Sequence, residues 1–178
     1  MIFVLIICNI NQLYDIIPVE FSGALLVVVL VSLAKLSDNI IGNNNAILFN
    51  SKYYFIVLIL GIILALTAVG LNLWLIPIHG INGAALATVI SIFGYNATKL
   101  LFVYLKLKMW PFTSQTVKAV ILILVLSGAF YFWEFQFHPL VNIALKSMLI
   151  GVLYCMIVYI LNISEDITAI LDKWIPRI

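Results

Sequence analysis

Long apolar runs whose central portions carry no charged side chain are the feature that most constrains the fold of this chain. Five such windows occur, at residues 21–38 or a little beyond, 53–75, 82–105, 116–133 and 142–163. A helix needs roughly 20 apolar residues to cross about 30 Å of hydrocarbon, and a Lys or Asp at its centre costs about 2.5–3.5 kcal/mol. The windows therefore predict five membrane-spanning helices, with the charged residues in their last turns and in the connections.

The overall composition agrees with a membrane location. The chain has 178 residues, of which 65% are hydrophobic and 9% are charged, and its mean hydropathy is +1.23. A soluble core of this size could not cover so much apolar surface. A net charge of +2, with lysines between apolar runs and not in a stripe, excludes nucleic acid as an expected partner. We therefore predict an all-α, polytopic transmembrane helix bundle in contact with membrane lipid.

The two ends of the chain differ from the windows. Residues 2–8, IFVLIIC, are too short to span a membrane and lack the basic region of a signal peptide. They are either the truncated end of a sixth helix, which we favour, or a short interfacial segment. At the other end, Ser164 can cap a helix with acidic residues in its first turn and apolar residues at helical spacing. Residues 164–178 are therefore expected to form an amphipathic interfacial tail, within one membrane domain over residues 1–178.

The basic residues predict the orientation of the spans. If the loops around 39–52 and 106–118 share a side with the C-terminal tail, that side collects every basic residue except Lys146. The opposite connections carry acidic residues and both histidines, His79 and His138. Because basic residues concentrate in cytoplasmic loops, we expect the lysine-rich side and the C-terminus to be cytoplasmic.

One stretch, LIPIHGINGAALATVIS at residues 75–91, interrupts the apolar pattern. Pro77 and Gly80 indicate a turn between two helices, with Pro77 ending the first helix and Asn82 capping the second. Small residues then recur at helical spacing, with Gly83, Ala87 and Ser91 on one line and Ala84 and Thr88 on the next. Helices in lipid associate through such small residues, because these let a neighbouring backbone approach closely. The second helix is therefore expected to be a centre of helix packing.

A polar stripe continues along this helix from Ser91 through Tyr95 to Lys99. The stripe could line an aqueous cavity, but we favour interhelical hydrogen bonding, with Lys99 extending to the cytoplasmic interface. Near membrane depth we expect only Lys35, Asp38 and Lys99 to be ionisable, and Lys35 and Asp38 are spaced to pair on one helix. The candidate substrate or cavity residues, stated as a hypothesis, are Lys35, Asn72, Ser91, Tyr95 and Lys99, with Asn72 placed to bond carbonyls that Pro77 leaves free.

Nothing in the sequence indicates catalysis. No serine lies in a G-x-S-x-G motif, no glycine pair is followed by the lysine of a phosphate loop, and no carboxylate pair is placed within a span. The cysteines, Cys8 and Cys155, lie far apart within apolar runs and have no metal-ligand spacing. We therefore expect no enzyme activity, no metal and no cofactor.

Three segments carry a family resemblance: GNNNAILFNSKYYF at 42–55, NLWLIPIHGINGAALATVIS at 72–91 and LKMWPFT at 107–113. They resemble the C-terminal part of polysaccharide export flippases, which translocate O-antigen and capsule repeat units. These proteins belong to the multidrug, oligosaccharidyl-lipid and polysaccharide flippase superfamily. The positions that match its recurring pattern are Asn72, Pro77, Gly80, Gly83, Ala84, Ala85, Ala87 and Thr88.

The resemblance implies a protein of the bacterial inner membrane that moves an undecaprenyl-diphosphate-linked oligosaccharide. Members of that family consist of two six-helix lobes, often with two appended helices. The lobes rock against each other across a central cavity. Residues 20–106 then correspond to helices of the C-terminal lobe, 114–163 to the appended pair and 164–178 to a cytoplasmic tail. The N-terminal lobe has no counterpart in this chain, so we do not expect activity from the chain alone. Its expected partners are a separate N-terminal lobe or polysaccharide assembly proteins.

Two alternatives remain open. The chain could be a non-transporting scaffold or accessory protein that keeps the fold of half a flippase. It could also be a relative of multidrug efflux proteins, although a carboxylate deep in the lobe would then be expected and the central portions of these windows contain none.

Overall fold

The computed structural model describes residues 1–18, 23–41, 43–110, 112–135, 137–164 and 168. Helices make up the regular structure of this part of the chain, which contains no strand, so the all-α prediction is confirmed. The chain divides into two units. The central unit is Gly23–Pro111, and the terminal unit combines Met1–Ser22 with Phe112–Ile178. The predicted interfacial tail lies outside the described residues, apart from Ser164 and Thr168.

The described part of the terminal unit contains four helices: α1 (Ile2–Cys8), α2 (Ile10–Ile16), α6 (Ser114–Tyr131) and α7 (Pro139–Ile160). Helix α1 packs on α6, and α2 packs on α7. Residues 2–8, expected to be a helix stump, form the short helix α1, and the single residue Asn9 separates it from α2.

Local sequence explains where α6 and α7 begin. Thr113 and Thr116 form a reciprocal capping box at the start of α6, which satisfies backbone donors that a helix leaves unpaired. Helix α7 begins with Pro139, whose missing N–H is harmless at the first helical position. The imidazole Nδ1 of His138 accepts a hydrogen bond from the backbone N–H of Leu140 at 3.4 Å.

The central unit contains α3 (Leu25–Ile41), α4 (Asn43–Phe49) and α5 (Tyr54–Phe102), and a short π-helical turn, Val103–Leu107, follows α5. Both α3 and α4 pack on α5. Helix α5 is too long for one crossing, because its 49 residues correspond to about 73 Å at 1.5 Å per residue.

Helix α5 is folded back on itself at Gly80. This residue has φ 56° and ψ −135°, a conformation that favours glycine because it has no Cβ. At the other end of the hairpin, the rings of Tyr53 and Phe102 meet edge to face with their centroids 5.4 Å apart. The first arm (residues 54–79) and the second arm (residues 81–102) are therefore antiparallel neighbours.

The turn lies within the stretch predicted from sequence, but two details of that prediction are wrong. Pro77 does not end the first helix, which continues to the kink at Gly80. Asn82 does not cap the second helix, because its buried Oδ1 has no hydrogen-bond partner among the described residues. A glycine with positive φ breaks the helix more sharply than the proline does, since a proline can be kept inside a membrane helix.

Three helices among the described residues are long and apolar enough to cross a membrane: Tyr54–Leu107, Ser114–Tyr131 and Pro139–Ile160. This is compatible with a membrane protein. The predicted count of five spans is not confirmed. Two of the predicted windows, 53–75 and 82–105, fall within the first of these helices. A third window, 21–38, overlaps α3, whose 17 residues are about 25 Å long.

Candidate functional site

The space between the two arms of α5 forms a pocket of about 230 Å³. Its walls combine aliphatic side chains with hydroxyl groups, and both arms contribute. The lining residues are Leu60, Ile63, Leu64, Thr67, Ile90, Ser91, Gly94, Tyr95 and Thr98. Two of the predicted cavity residues, Ser91 and Tyr95, are thus brought together at one site.

Ser91 is a polar group in this pocket with unused hydrogen-bonding capacity. Its side chain is 3% exposed, and its Oγ has no hydrogen-bond partner among the described residues. A buried hydroxyl without a partner costs about 1–3 kcal/mol, so a bound polar group would be stabilised there. The neighbouring hydroxyl of Thr98 differs, because it donates to the Gly94 carbonyl at 2.8 Å.

Lys99 lies one helical turn beyond Tyr95, and its side chain is fully buried. Its ammonium group lies over the Tyr95 ring, 4.2 Å from the centroid, a geometry that gives a cation–π interaction. Asp38 of α3 acts electrostatically on both residues. The expectation that Lys99 extends to an exposed interface is therefore wrong, because an aromatic face and a carboxylate hold it inside the unit.

A second polar contact joins α3 to the second arm, and sequence reasoning missed it. The Asn96 amide, 1% exposed, donates through Nδ2 to the Ser37 hydroxyl at 3.3 Å. Asn96 lies on the same helix as the predicted polar stripe, one residue after Tyr95. The predicted stripe should therefore have included it.

The remaining candidate cavity residues lie elsewhere. Lys35 is exposed on α3. Asn72 lines a separate, apolar pocket on the first arm, together with residues that include Leu73 and Pro77. Its Nδ2 donates to the Ala68 carbonyl at 2.8 Å, which lies in the preceding turn and is not among the carbonyls freed by Pro77. The structure therefore brings Ser91, Tyr95 and Lys99 together but not Lys35 or Asn72.

The small residues after the turn are used for close packing. Gly83 is buried, and a Cβ at this position would overlap the backbone carbonyl of Leu75 on the first arm. Ala87 is completely buried on the second arm. Ala84 and Thr88 are half-buried, and the Thr88 hydroxyl donates to the Ala84 carbonyl at 2.9 Å.

The terminal unit contains a second buried lysine, Lys146, which the predicted topology left on the side opposite the other basic residues. Lys146 lies in the second turn of α7 and is 1% exposed. Its ammonium group donates to the backbone carbonyl of Cys8, the last residue of α1. The sequence did contain one signal of its unusual environment. Lys146 is the one basic residue that does not lie on the lysine-rich side of the predicted bundle.

Two buried amides, Asn9 and Gln12, make further polar contacts in the terminal unit. Asn9 donates through Nδ2 to the Leu5 carbonyl at 2.9 Å and to the Ser147 hydroxyl at 3.1 Å. Gln12 donates through Nε2 to a carboxylate oxygen of Glu134 at 3.0 Å. Neither amide was identified from the sequence, because both lie outside the predicted spans.

Comparisons with known proteins give no relative. No protein-family model, curated protein or solved structure matches the chain. Within the part of the chain that the structure describes, no group of three or more His, Cys, Asp or Glu residues could hold a metal ion. Any functional assignment therefore rests on the motif around Gly80 and on the geometry of the two buried lysines.

Proposed function

We propose that this chain is the C-terminal part of a polysaccharide flippase, which moves an undecaprenyl-diphosphate-linked oligosaccharide across the bacterial inner membrane. The chain needs a matching N-terminal lobe for this activity. It is neither an enzyme nor dependent on a cofactor.

The hairpin of α5 is the observation that carries the proposal. The family resemblance is concentrated at residues 72–91, and this stretch contains the turn that folds the two arms together. Gly80 supplies the turn conformation, and Gly83 allows the contact with the Leu75 backbone. Two residues of the flippase pattern, Gly80 and Gly83, therefore have a physical reason to recur together, because other side chains at these positions would strain this hairpin.

In this proposal the protein has five spans. The two arms of α5 each exceed the roughly 20 residues that a crossing requires. Helices α6 and α7 and the short α3, around which the bilayer would thin, supply the others. The C-terminus and the loop that contains Lys106 and Lys108 face the cytoplasm, because this arrangement places all the basic residues but Lys146 on one side.

The pocket between the arms supplies one wall of the substrate path. A lipid-linked oligosaccharide presents hydroxyl groups and a doubly charged diphosphate. Ser91 can exchange hydrogen bonds with the sugar hydroxyl groups. The cationic Lys99, which adjoins the pocket through Tyr95, supplies a positive charge for the diphosphate. Rocking of one lobe against another requires a second lobe, so the chain by itself provides a wall but no closed cavity.

The test is restoration of surface polysaccharide in a bacterial strain that lacks its own flippase. We expect no restoration by this chain alone, and restoration when a matching N-terminal lobe is co-expressed. Lys99→Met should lower the restored amount about tenfold or more, because it removes the buried positive charge that adjoins the pocket through Tyr95. Lys35→Met, which alters an exposed lysine in the same unit, is the matched control.

Each other outcome contradicts a specific part of the proposal. Restoration by the chain alone would show that it forms a cavity of its own. Failure with every tested lobe, although the chain is present in the membrane, would favour an accessory or scaffold role. Resistance to cationic drugs without any polysaccharide would favour the efflux alternative.

A further inference from the structure

The helix at the start of the chain is interrupted beside a buried cation. Helix α1 ends at Cys8, Asn9 has φ −102° and ψ 7°, and α2 begins at Ile10. The Lys146 ammonium donates to the carbonyl of Cys8, at the end of α1. In membrane transporters, interrupted helices present carbonyl groups of this kind to Na⁺ or H⁺.

The side-chain amides of Asn9 and Gln12, near the break between α1 and α2, leave their oxygen atoms without hydrogen bonds. The Asn9 amide nitrogen faces the Leu5 carbonyl, and the Gln12 amide nitrogen faces the Glu134 carboxylate. Both of these partners only accept hydrogen bonds, so the two amides cannot be reversed without placing oxygen against oxygen. Asn9 Oδ1 and Gln12 Oε1 are consequently buried and have no hydrogen-bond partner among the described residues.

The groups near the break are the Cys8 carbonyl, the amide oxygens of Asn9 and Gln12 and the Glu134 carboxylate. They suit a cation and not an anion. The unused groups are oxygen acceptors, the main-chain member is a carbonyl, and the Glu134 carboxylate acts electrostatically on Lys146. Oxygen ligands of this kind are those that hard cations prefer. An ammonium group offers three donors, and the described contacts use one of them, on Cys8.

We propose that the terminal unit contains a monovalent-cation site at the break between α1 and α2, and that the Lys146 ammonium is the cation that occupies it. The side chain of Lys146 is a tethered ion that pairs with the Cys8 carbonyl, and the unpaired oxygens of Asn9 and Gln12 are the further ligands that a free cation would use. The proposal does not depend on the flippase assignment, because it uses residues outside the motif of α5.

The experiment empties the site and asks whether a free cation fills it. Lys146→Ala removes the ammonium and leaves space, whereas Lys146→Met removes the charge but fills most of the volume. The full chain is purified in detergent, and its melting temperature is compared in sodium chloride and in choline chloride at equal concentration, since choline is too large to enter. Lys118→Ala, which removes an exposed lysine of α6, is the charge control.

We expect Lys146→Ala to melt roughly 3 °C or more higher in sodium than in choline. The wild-type chain, Lys146→Met and Lys118→Ala should show no such difference. Adding Gln12→Leu to Lys146→Ala should reduce the sodium effect by about half, because one oxygen ligand is lost. Equal melting of Lys146→Ala in both salts, or a sodium effect that Gln12→Leu leaves unchanged, would overturn the proposal.

A second measurement covers the case in which Lys146→Ala does not melt cooperatively. The yield of monomeric protein after solubilisation is then compared in sodium, n-propylammonium and choline chlorides. We expect sodium or n-propylammonium to raise the yield about twofold or more over choline, because a bound cation stabilises the folded state. Equal yields in all three salts would overturn the proposal.

Discussion

Among the residues that the structure describes, the central and terminal units each bury one lysine, but they compensate its charge in different ways. Lys99 of the central unit lies over the Tyr95 ring and near the Asp38 carboxylate. Lys146 of the terminal unit donates to a main-chain carbonyl at a helix break. The first lysine is therefore sensitive to the identity of neighbouring side chains, whereas the second depends mainly on the course of the backbone.

The two units also differ in the kind of residue that joins their helices. The central unit brings helix arms together through residues without bulk, such as Gly83 and Ala87. The terminal unit joins its short helices to α7 and to the α6–α7 connection through polar contacts of Asn9 and Gln12. Substitutions that add volume should therefore damage the central unit most, and loss of a single polar side chain should have a smaller effect in the terminal unit.

The largest effect is expected for Gly83→Ala, because the added Cβ would overlap the Leu75 carbonyl. Separation of the arms should lower the free energy of unfolding by about 3 kcal/mol, as measured by thermal or denaturant unfolding in detergent. Gly70→Ala is the control, since no atom lies within 4 Å of the position that its Cβ would take. Equal effects of the two substitutions would contradict the close approach of the arms.

Ala87→Leu should come next, with a loss of about 2 kcal/mol, because Ala87 is fully buried and a larger side chain would have to displace its neighbours. The matched substitution Ala97→Leu adds the same atoms at an exposed position on the same arm and should change stability little. The melting temperatures of the two variants provide the measurement. If both melt like the wild type, small residues do not determine packing in the central unit.

The Tyr95–Lys99 pair can be tested with a double-mutant cycle that uses Tyr95→Leu and Lys99→Met. We expect a coupling free energy of about 1–2 kcal/mol, since the aromatic face stabilises the buried ammonium. Tyr95→Phe keeps the ring and should retain most of this coupling. A coupling near zero would mean that Lys99, like Lys146, is held mainly by groups other than an aromatic side chain.

The smallest effect is expected for Gln12→Leu in the wild-type chain. The substitution removes the hydrogen bond to the exposed Glu134 but also removes an unpaired oxygen, so the net loss should be below about 1 kcal/mol. Denaturant unfolding of the purified chain measures it. A loss as large as that of Gly83→Ala would show that side-chain partners hold the terminal unit as firmly as small residues hold the central one.

The sequence predicted what depends on local pattern. The turn near residues 75–82 follows from the conformational freedom of Gly80, and the burial of Gly83, Ala87 and Ser91 follows the spacing of small residues along one helix face. The proximity of Tyr95 and Lys99 is also local, because residues four apart share a helix face. The error at Pro77 arose because proline was treated as a helix terminator, although membrane helices tolerate it.

What the sequence could not predict depends on contacts between distant segments. The partner of Lys146 is a main-chain carbonyl 138 positions away, and a carbonyl has no signature in the sequence. The Asn96–Ser37 contact likewise joins two helices through common polar residues whose spacing carries no information. Within the candidate site, the pocket walls from the first arm were missed because Leu60 and Thr67 look like ordinary members of an apolar run.

The hairpin of α5 also bears on how the chain enters a bilayer during synthesis. No Asp, Glu, Lys or Arg occurs between Lys52 and Lys99, and the exposed tip around Gly80 carries only the imidazole of His79. Charged groups are the most expensive to move through hydrocarbon, and this hairpin has none to carry across. The two arms can therefore insert as a pair, with Lys52 and Lys99 remaining at the entry side while a nearly neutral tip crosses.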